Sequence, residues 1–303
     1  MVQAGFSGGQ SPMLLVEEQA VAPEQALATA DRRLAAIAGM LERQVVVGPV
    51  RLLDDETVAR VRGLIGDLAG QLAGSDTALI GPVRTMLAGN RAILTHCHAL
   101  AVEWRLAMSL AARNGLDPVL PPLVRRRLSA DADVMAATTA MIAAQARSSE
   151  SLRRMRLSLG DCPADLRNIA HAALDAARAE HTGEAPPAEP QANPADARGR
   201  LVLLHRVVAG LGEDMALALR IEQAGAALFF TALAIASGQP REVAVLASAE
   251  DDPIRLALLL RAAGLARDEA GAQFLLIRPE ADATLVDAAD SAAAAEALLG
   301  ASR

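Results

Sequence analysis

From about residue 11 to the end of the chain, apolar residues recur every three or four positions, and the pattern breaks at Gly, Pro and Asp. A turn of helix takes 3.6 residues, so this spacing gathers the apolar side chains on one helical face. The two-residue alternation of a half-buried strand is nearly absent. The chain is therefore expected to be all-α. It is read as helical hairpins of solenoid character, since short helices joined by turns of a few residues stack side by side.

The core must be built from small and aliphatic side chains. Hydrophobic residues make up 52% of the chain, but there is one Trp, four Phe and no Tyr. Much of the rest is Ala, the strongest helix former and one that lets helices approach closely. All 29 basic residues are Arg, which reads as the codon bias of a GC-rich genome. The two cysteines, Cys97 and Cys162, lie far apart without a CxxC and read as small hydrophobes of a reducing compartment. The start, MVQAGFSGGQ, lacks the basic-then-apolar order of a secretory signal. The longest uncharged run spans 223–240, and its apolar centre over 224–236 is 13 residues long. A bilayer span needs about 20, so a buried core helix is expected, without membrane insertion. A cytoplasmic protein is the expectation.

Helices are expected over 23–46, after a cap at Asp54, from Ser75 or Asp76, and over a long stretch from Asn90 to Gly115. Shorter ones follow at 122–128, after Asp131 or Asp133, after Ser148 or Ser149, and after Pro163. Residues 182–198, TGEAPPAEPQANPADAR, hold four prolines and no apolar stripe and read as a linker. The expected organisation is a disordered tail over 1–11, a helical-hairpin block over 12–181, the Pro-rich linker over 182–198 and a second helical block over 199–303. Within the last block, helices are expected near 201–211, 213–223, 226–236, from Pro240, from Pro253 to Gly264, and over 285–299.

No pattern carries chemistry clearly. His96 and His98 flank Cys97, but residues two apart on a helix point in nearly opposite directions, whereas helical metal pairs use a four-residue spacing. His96 is expected beside the core and His98 in solvent. Nothing orients Cys162, His171 and His205 as a nucleophile and its base. The triplets Asp54-Asp55-Glu56 and Glu250-Asp251-Asp252 read as helix caps. Gly63, Gly66 and Gly70 read as close helix packing. No catalytic, cofactor or metal site is assigned.

The sharpest polar feature is Arg125, Arg126 and Arg127 with Arg153, Arg154 and Arg156, expected on neighbouring short helices as one basic ridge. The net charge of −7 argues against nucleic acid as the main partner, since that binding runs on phosphate neutralisation. Charge is nevertheless uneven. Residues 113–178 carry ten Arg and seven acids, a net of +3, and residues 242–303 carry five Arg and eleven acids, a net of −6.

Residues 229–243, FFTALAIASGQPREV, are followed by 256–265, LALLLRAAGL, and by Phe274-Leu275-Leu276. This succession, together with Leu120-Pro121-Pro122 and the hairpins after it, resembles the bacterial domain-of-unknown-function family number 2336 over about residues 115–280. The resemblance implies an all-helical, HEAT-like fold in a bacterial cytosol and supplies no catalytic residues. The expected function is a non-enzymatic protein–protein interaction or regulatory scaffold with another protein as partner. The alternative is an anionic ligand or nucleic acid bound at the Arg-rich ridge.

Overall fold

A computed structural model describes residues 22–47, 55–182 and 199–301. Among them every regular element is helical and no strand occurs. The expected tail over 1–11 and nearly all of the expected linker, 183–198, lie outside the described residues, as does Asp54.

Helix α1 is Pro23–Val47 and α2 is Asp55–Ala73. Asp76 accepts from the Ala78 amide and starts a short 3-10 turn that runs into α3, Ile80–Gly89. Pro82 sits in the first turn of α3, where its missing N–H costs nothing, so the Gly81-Pro82 pair does not disturb that helix. Asn90 then caps α4, Arg91–Asn114, accepting from the amides of Ala92 at 3.0 Å and Ile93 at 3.2 Å. Gly115 closes the helix in the left-handed conformation, φ 66°, which only Gly adopts without strain.

Helix α5 is Pro122–Arg127, and Asp131 caps α6, Ala132–Arg153. The break expected at Ser148 or Ser149 does not occur. Ser148 is buried on the inner face of α6, and the helix continues for more than a turn beyond it. Helix α7 is Ala164–Thr182 and α8 is Arg200–Ala209. The helix expected over 213–223 is divided instead. A single turn, α9 at Met215–Ala218, stops before α10, Ile221–Ser237, and Gly225 inside α10 takes φ 68°. A Cβ on Gly225 would lie 3.2 Å from Pro121, so this glycine supplies both the bend and the room for the 121–122 turn. Helices α11 (Arg241–Ala247), α12 (Ile254–Ala262), α13 (Arg267–Ile277) and α14 (Ala292–Ala301) complete the chain.

Two apolar clusters form, and their boundary runs through α4. One face of α4, with Ile93, Leu94, Cys97 and Leu100, packs with α2, α3 and α7. Its Ala99, Val102 and Leu110 join the larger cluster, built on α10 and α12 and covered by α8, α11, α13 and α14. Helix α10 has Phe229 and Phe230 wholly buried, ring centroids 5.4 Å apart and edge to face. The larger cluster draws from both sides of residues 183–198, because α8 packs on α6 and α10 packs on α4 and α5.

Charge also ties α4 to the later helices. Glu103, 3% exposed, takes Arg200 on one oxygen and Arg241 on the other, the latter at 2.9 Å. Arg200 also donates to Gln145 at 2.7 Å, and Arg241 to Thr231 at 3.1 Å. Burial works to raise the Glu103 pKa, but the two guanidiniums outweigh it and hold the carboxyl well below the ordinary range. A second tie binds the turn after α6 to α2. Arg60 donates to the Leu152 carbonyl at 2.7 Å, Asp67 accepts from the Leu157 amide at 3.1 Å, and Gln71 bonds Leu157 and Leu159. Met155, at φ 56°, lies over Gly63, where a Cβ would come within 2.7 Å of its own Cβ.

Candidate binding cleft along α4

His98, Val102, Arg105, Ser109 and Arg113 follow one another at spacings of three and four, so they share a face of α4 about 22 Å long at 1.5 Å per residue. Neither apolar cluster covers that face completely. Across from it stand Leu34 and Ile37 of α1, the segment after α11 with Ala249, Glu250 and Asp251, and the turn after α13 with Arg278, Pro279 and Glu280. The gap holds three cavities of about 300, 220 and 430 Å³. The first two share Leu34, Ile37 and the 249–251 segment, and the last two share Val102, Arg105 and Ala249. They therefore adjoin one another in a row along this face of α4.

Its two ends differ in charge. The end nearest α1 is lined by Glu250, Asp251 and Asp252, with Arg33 opposite. Glu250 is 7% exposed, and one of its oxygens accepts from Arg255 at 2.8 Å, while Arg255 also reaches Asp31 at 2.5 Å. The other oxygen of Glu250 is buried without a hydrogen-bond partner among the described residues. Burial pushes this carboxyl above the usual range, with the Arg255 charge opposing it. At the middle of the cleft, burial and then the Arg105 charge push His98 down to about 4, so its imidazole is neutral at pH 7. The far end is lined by Arg105, Arg113, Arg278 and Glu280, and Arg105 donates to the Thr57 hydroxyl at 3.5 Å. Arg278 donates to the Glu250 carbonyl at 2.5 Å and to Glu280 at 2.6 Å, and Arg113 donates to the Leu276 carbonyl at 3.2 Å.

The two arginine triplets are not brought together. Arg125–Arg127 precede the start of α6 and Arg153–Arg156 lie at its end, so the 22 residues of that helix hold them about 30 Å apart. Arg125 is exposed. Arg126 pairs with Asp214 at 2.6 Å. Arg127 is buried and donates to the Gly210 carbonyl at 3.2 Å. Arg153 and Arg154 both pair with Glu150, at 2.8 and 2.7 Å, and Arg156 lies 3.4 Å from Asp67. The single ridge expected from the sequence fails because α6 is long and unbroken rather than two short helices.

His96 lies beside the core as expected, its Nδ1 3.3 Å from Glu242, and this contact holds the Glu242 carboxyl below its ordinary pKa. His98 is buried rather than solvated, because α1 and the segment after α11 cover that side of α4. Cys97 and Cys162 are buried thiols; burial first, and the negative potential of a neighbour second, raise both pKa values, Cys162 to about 12. Of the acidic triplets, Asp252 accepts from the Ile254 amide at 3.2 Å as a cap does, whereas Glu250 turns inward to Arg255. Gly63 is a close-packing glycine, but a Cβ on Gly66 or Gly70 would meet nothing within 4 Å.

The cleft residues come from segments as far apart as Arg33 and Glu280, and sequence reasoning missed them. The available signal was the four-residue spacing of Arg105, Ser109 and Arg113, which reads equally well as a solvated helix face. Among the described residues no group of three or more His, Cys, Asp or Glu is placed to hold a metal ion, and no single helix is long and apolar enough to cross a membrane. In comparisons with known proteins, no family model, no curated protein and no solved structure matches the chain.

Proposed function

We propose that this is a non-enzymatic interaction or regulatory protein that holds a segment of another protein in the cleft along α4. The observation that carries the reading is the row of adjoining cavities, with carboxylates lining one end, guanidiniums the other and Leu34, Ile37 and Val102 lining the middle one. Charge complementarity selects an occupant with basic residues at one end, acidic residues at the other and apolar anchors between, laid along about four turns of α4. Electrostatic matching of this kind sets orientation, while burial of the anchors supplies affinity. The neighbouring pairs α2–α3, α10–α11 and α12–α13 pack as hairpins, which supports the hairpin-built, HEAT-like architecture and the kinship to family 2336 as part of the same proposal.

A displayed library of random peptides, selected on the wild-type protein and then rebound to the Ile37→Glu variant, tests it. Binders are expected to show the opposed charges and to lose affinity for Ile37→Glu, since a carboxylate in the apolar middle must be desolvated without a partner. Binders that hold Ile37→Glu as tightly as wild type would overturn the assignment of the cleft.

A further inference from the structure

The outer face of α6 lacks the charges that a solvent-facing helix carries. Charged residues make up 21% of the chain, yet the 13 residues from Val134 to Ala146 contain none. One side of this stretch packs inward through Thr138, Met141, Ala144 and Gln145. The other side, with Ala136, Thr139, Ala140, Ala143 and Ala146, is exposed, and Met135 at its edge is 44% exposed. The Thr139 hydroxyl donates to the Met135 carbonyl of its own helix at 2.8 Å, so the face offers no unmet side-chain donor. A helix that is apolar on both sides is one that is covered on both sides. Helix α6 lines none of the three cavities along α4, so the cleft does not account for this face.

Charge stands at the two ends of the face, and it is of opposite sign. Asp133 and Arg147 are both exposed, and neither side chain makes a hydrogen bond or ion pair among the described residues. The Arg147 charge does bear on Asp161, where it opposes the rise that burial imposes on that carboxyl. At about 100° per residue, Asp133, Ala136, Ala140, Ala143 and Arg147 fall within about 80° of the helix surface, and Ala140 is the midpoint between the two charges. A two-fold axis at Ala140 therefore sets Asp133 of each copy level with Arg147 of the other, about 10 Å along the helix from the axis on either side. The same operation opposes the two helix dipoles. We infer that α6 pairs antiparallel with α6 of a second copy of this chain, with Ala136, Ala140 and Ala143 packed at the centre and Asp133 joined to Arg147 at each end. Alanines at the contact let the axes approach to about 8 Å, the close end of helix packing, and burial of Met135 and the alanine methyls supplies affinity. A parallel pair would set Asp133 against Asp133 and Arg147 against Arg147, and both contacts repel.

Sedimentation equilibrium of the full chain over a range of micromolar concentrations tests the inference. The mass is expected to rise reversibly from that of one chain, 31.4 kDa, toward twice that value. One helix pair is a small interface, so the dimer is expected to be weak. Ala140→Glu sets two carboxylates face to face at the axis and is expected to weaken dimerisation by at least about tenfold, while circular dichroism checks that this exposed substitution leaves the helix content unchanged. Asp133→Arg alone and Arg147→Asp alone each put like charges at both ends, and each is expected to weaken the dimer by about tenfold. The double exchange, Asp133→Arg with Arg147→Asp, restores opposite charges at both ends and is expected to recover the dimer, a gain that misfolding does not mimic. A chain that stays monomeric throughout, or a dimer unmoved by Ala140→Glu, would overturn the inference. Single exchanges without effect, or a double exchange that fails to restore what they lose, would overturn it as well.

Discussion

Replacing Glu103 by Gln probes the charge tie that holds α4 to the later helices. Arg200 and Glu103 each have a side chain 4% exposed, and that of Arg241 is 14% exposed. In the variant the amide oxygen still accepts from one guanidinium, but the amide N–H group then faces the donors of the other. Removing one partner of a buried ion pair costs about 3–5 kcal/mol, because the remaining charge stays desolvated and unpaired. The carboxyl held near 2 leads to a similar figure, roughly 3 kcal/mol at 1.36 kcal/mol per pKa unit. Urea unfolding followed by far-UV circular dichroism at pH 7 reads the loss directly. Because the folded pKa is depressed, the stabilisation is fully present above the unfolded value and is lost as pH falls through the folded one. The gap between wild type and Glu103→Gln is thus expected to narrow from about pH 5 downward, over the range in which both remain folded. A loss below about 1 kcal/mol, the size typical of an exposed pair, or a gap that does not change with pH, would refute the reasoning.

Three further outcomes are expected. Gly63→Ala should destabilise by about 1–3 kcal/mol through overpacking against Met155, whereas Gly66→Ala and Gly70→Ala, with open space around them, should each stabilise by up to about 1 kcal/mol through helix propensity; paired urea curves check the contrast. Asn90→Ala should cost about 1 kcal/mol by leaving the Ala92 and Ile93 amides uncapped, read in the same assay. His98 is buried neutral with its pKa lowered to about 4, so between roughly pH 6.5 and 4 the unfolded chain binds the proton and stability falls with pH, by up to roughly 3 kcal/mol; His98→Gln should remove that part of the slope, and an unchanged slope would mean another group produces it.

The helical class was legible because period and caps agreed. Asn90 and Gly115 bracket α4 where the sequence placed them, and Asp76, Asp131 and Pro163 mark starts that the structure keeps. Local signals misled where tertiary contacts decided. Ser148 has the identity of a cap, but its burial against the interior favours a continuous α6, and that continuity separates the two arginine triplets. Gly63, Gly66 and Gly70 are alike in sequence, and only the turn at Met155 distinguishes the first. The cleft was illegible for the same reason. Arg105, Glu250 and Arg278 carry no shared motif, and their convergence depends on how α1, α4 and the turns after α11 and α13 pack. Glu103 gave no warning either, since one acid on a helix predicts neither its burial nor its two arginine partners.

Hydrogen–deuterium exchange of the protein with and without a bound cleft-selected peptide tests the central assignment most directly. The account predicts slower exchange along residues 98–113 of α4, in α1 around residues 34–40, and in the segments 248–252 and 277–280, with the outer faces of α6 and α8 unchanged. Protection confined to α6 and α8, or to the termini of α5 and α6 where the arginine triplets lie, would contradict it.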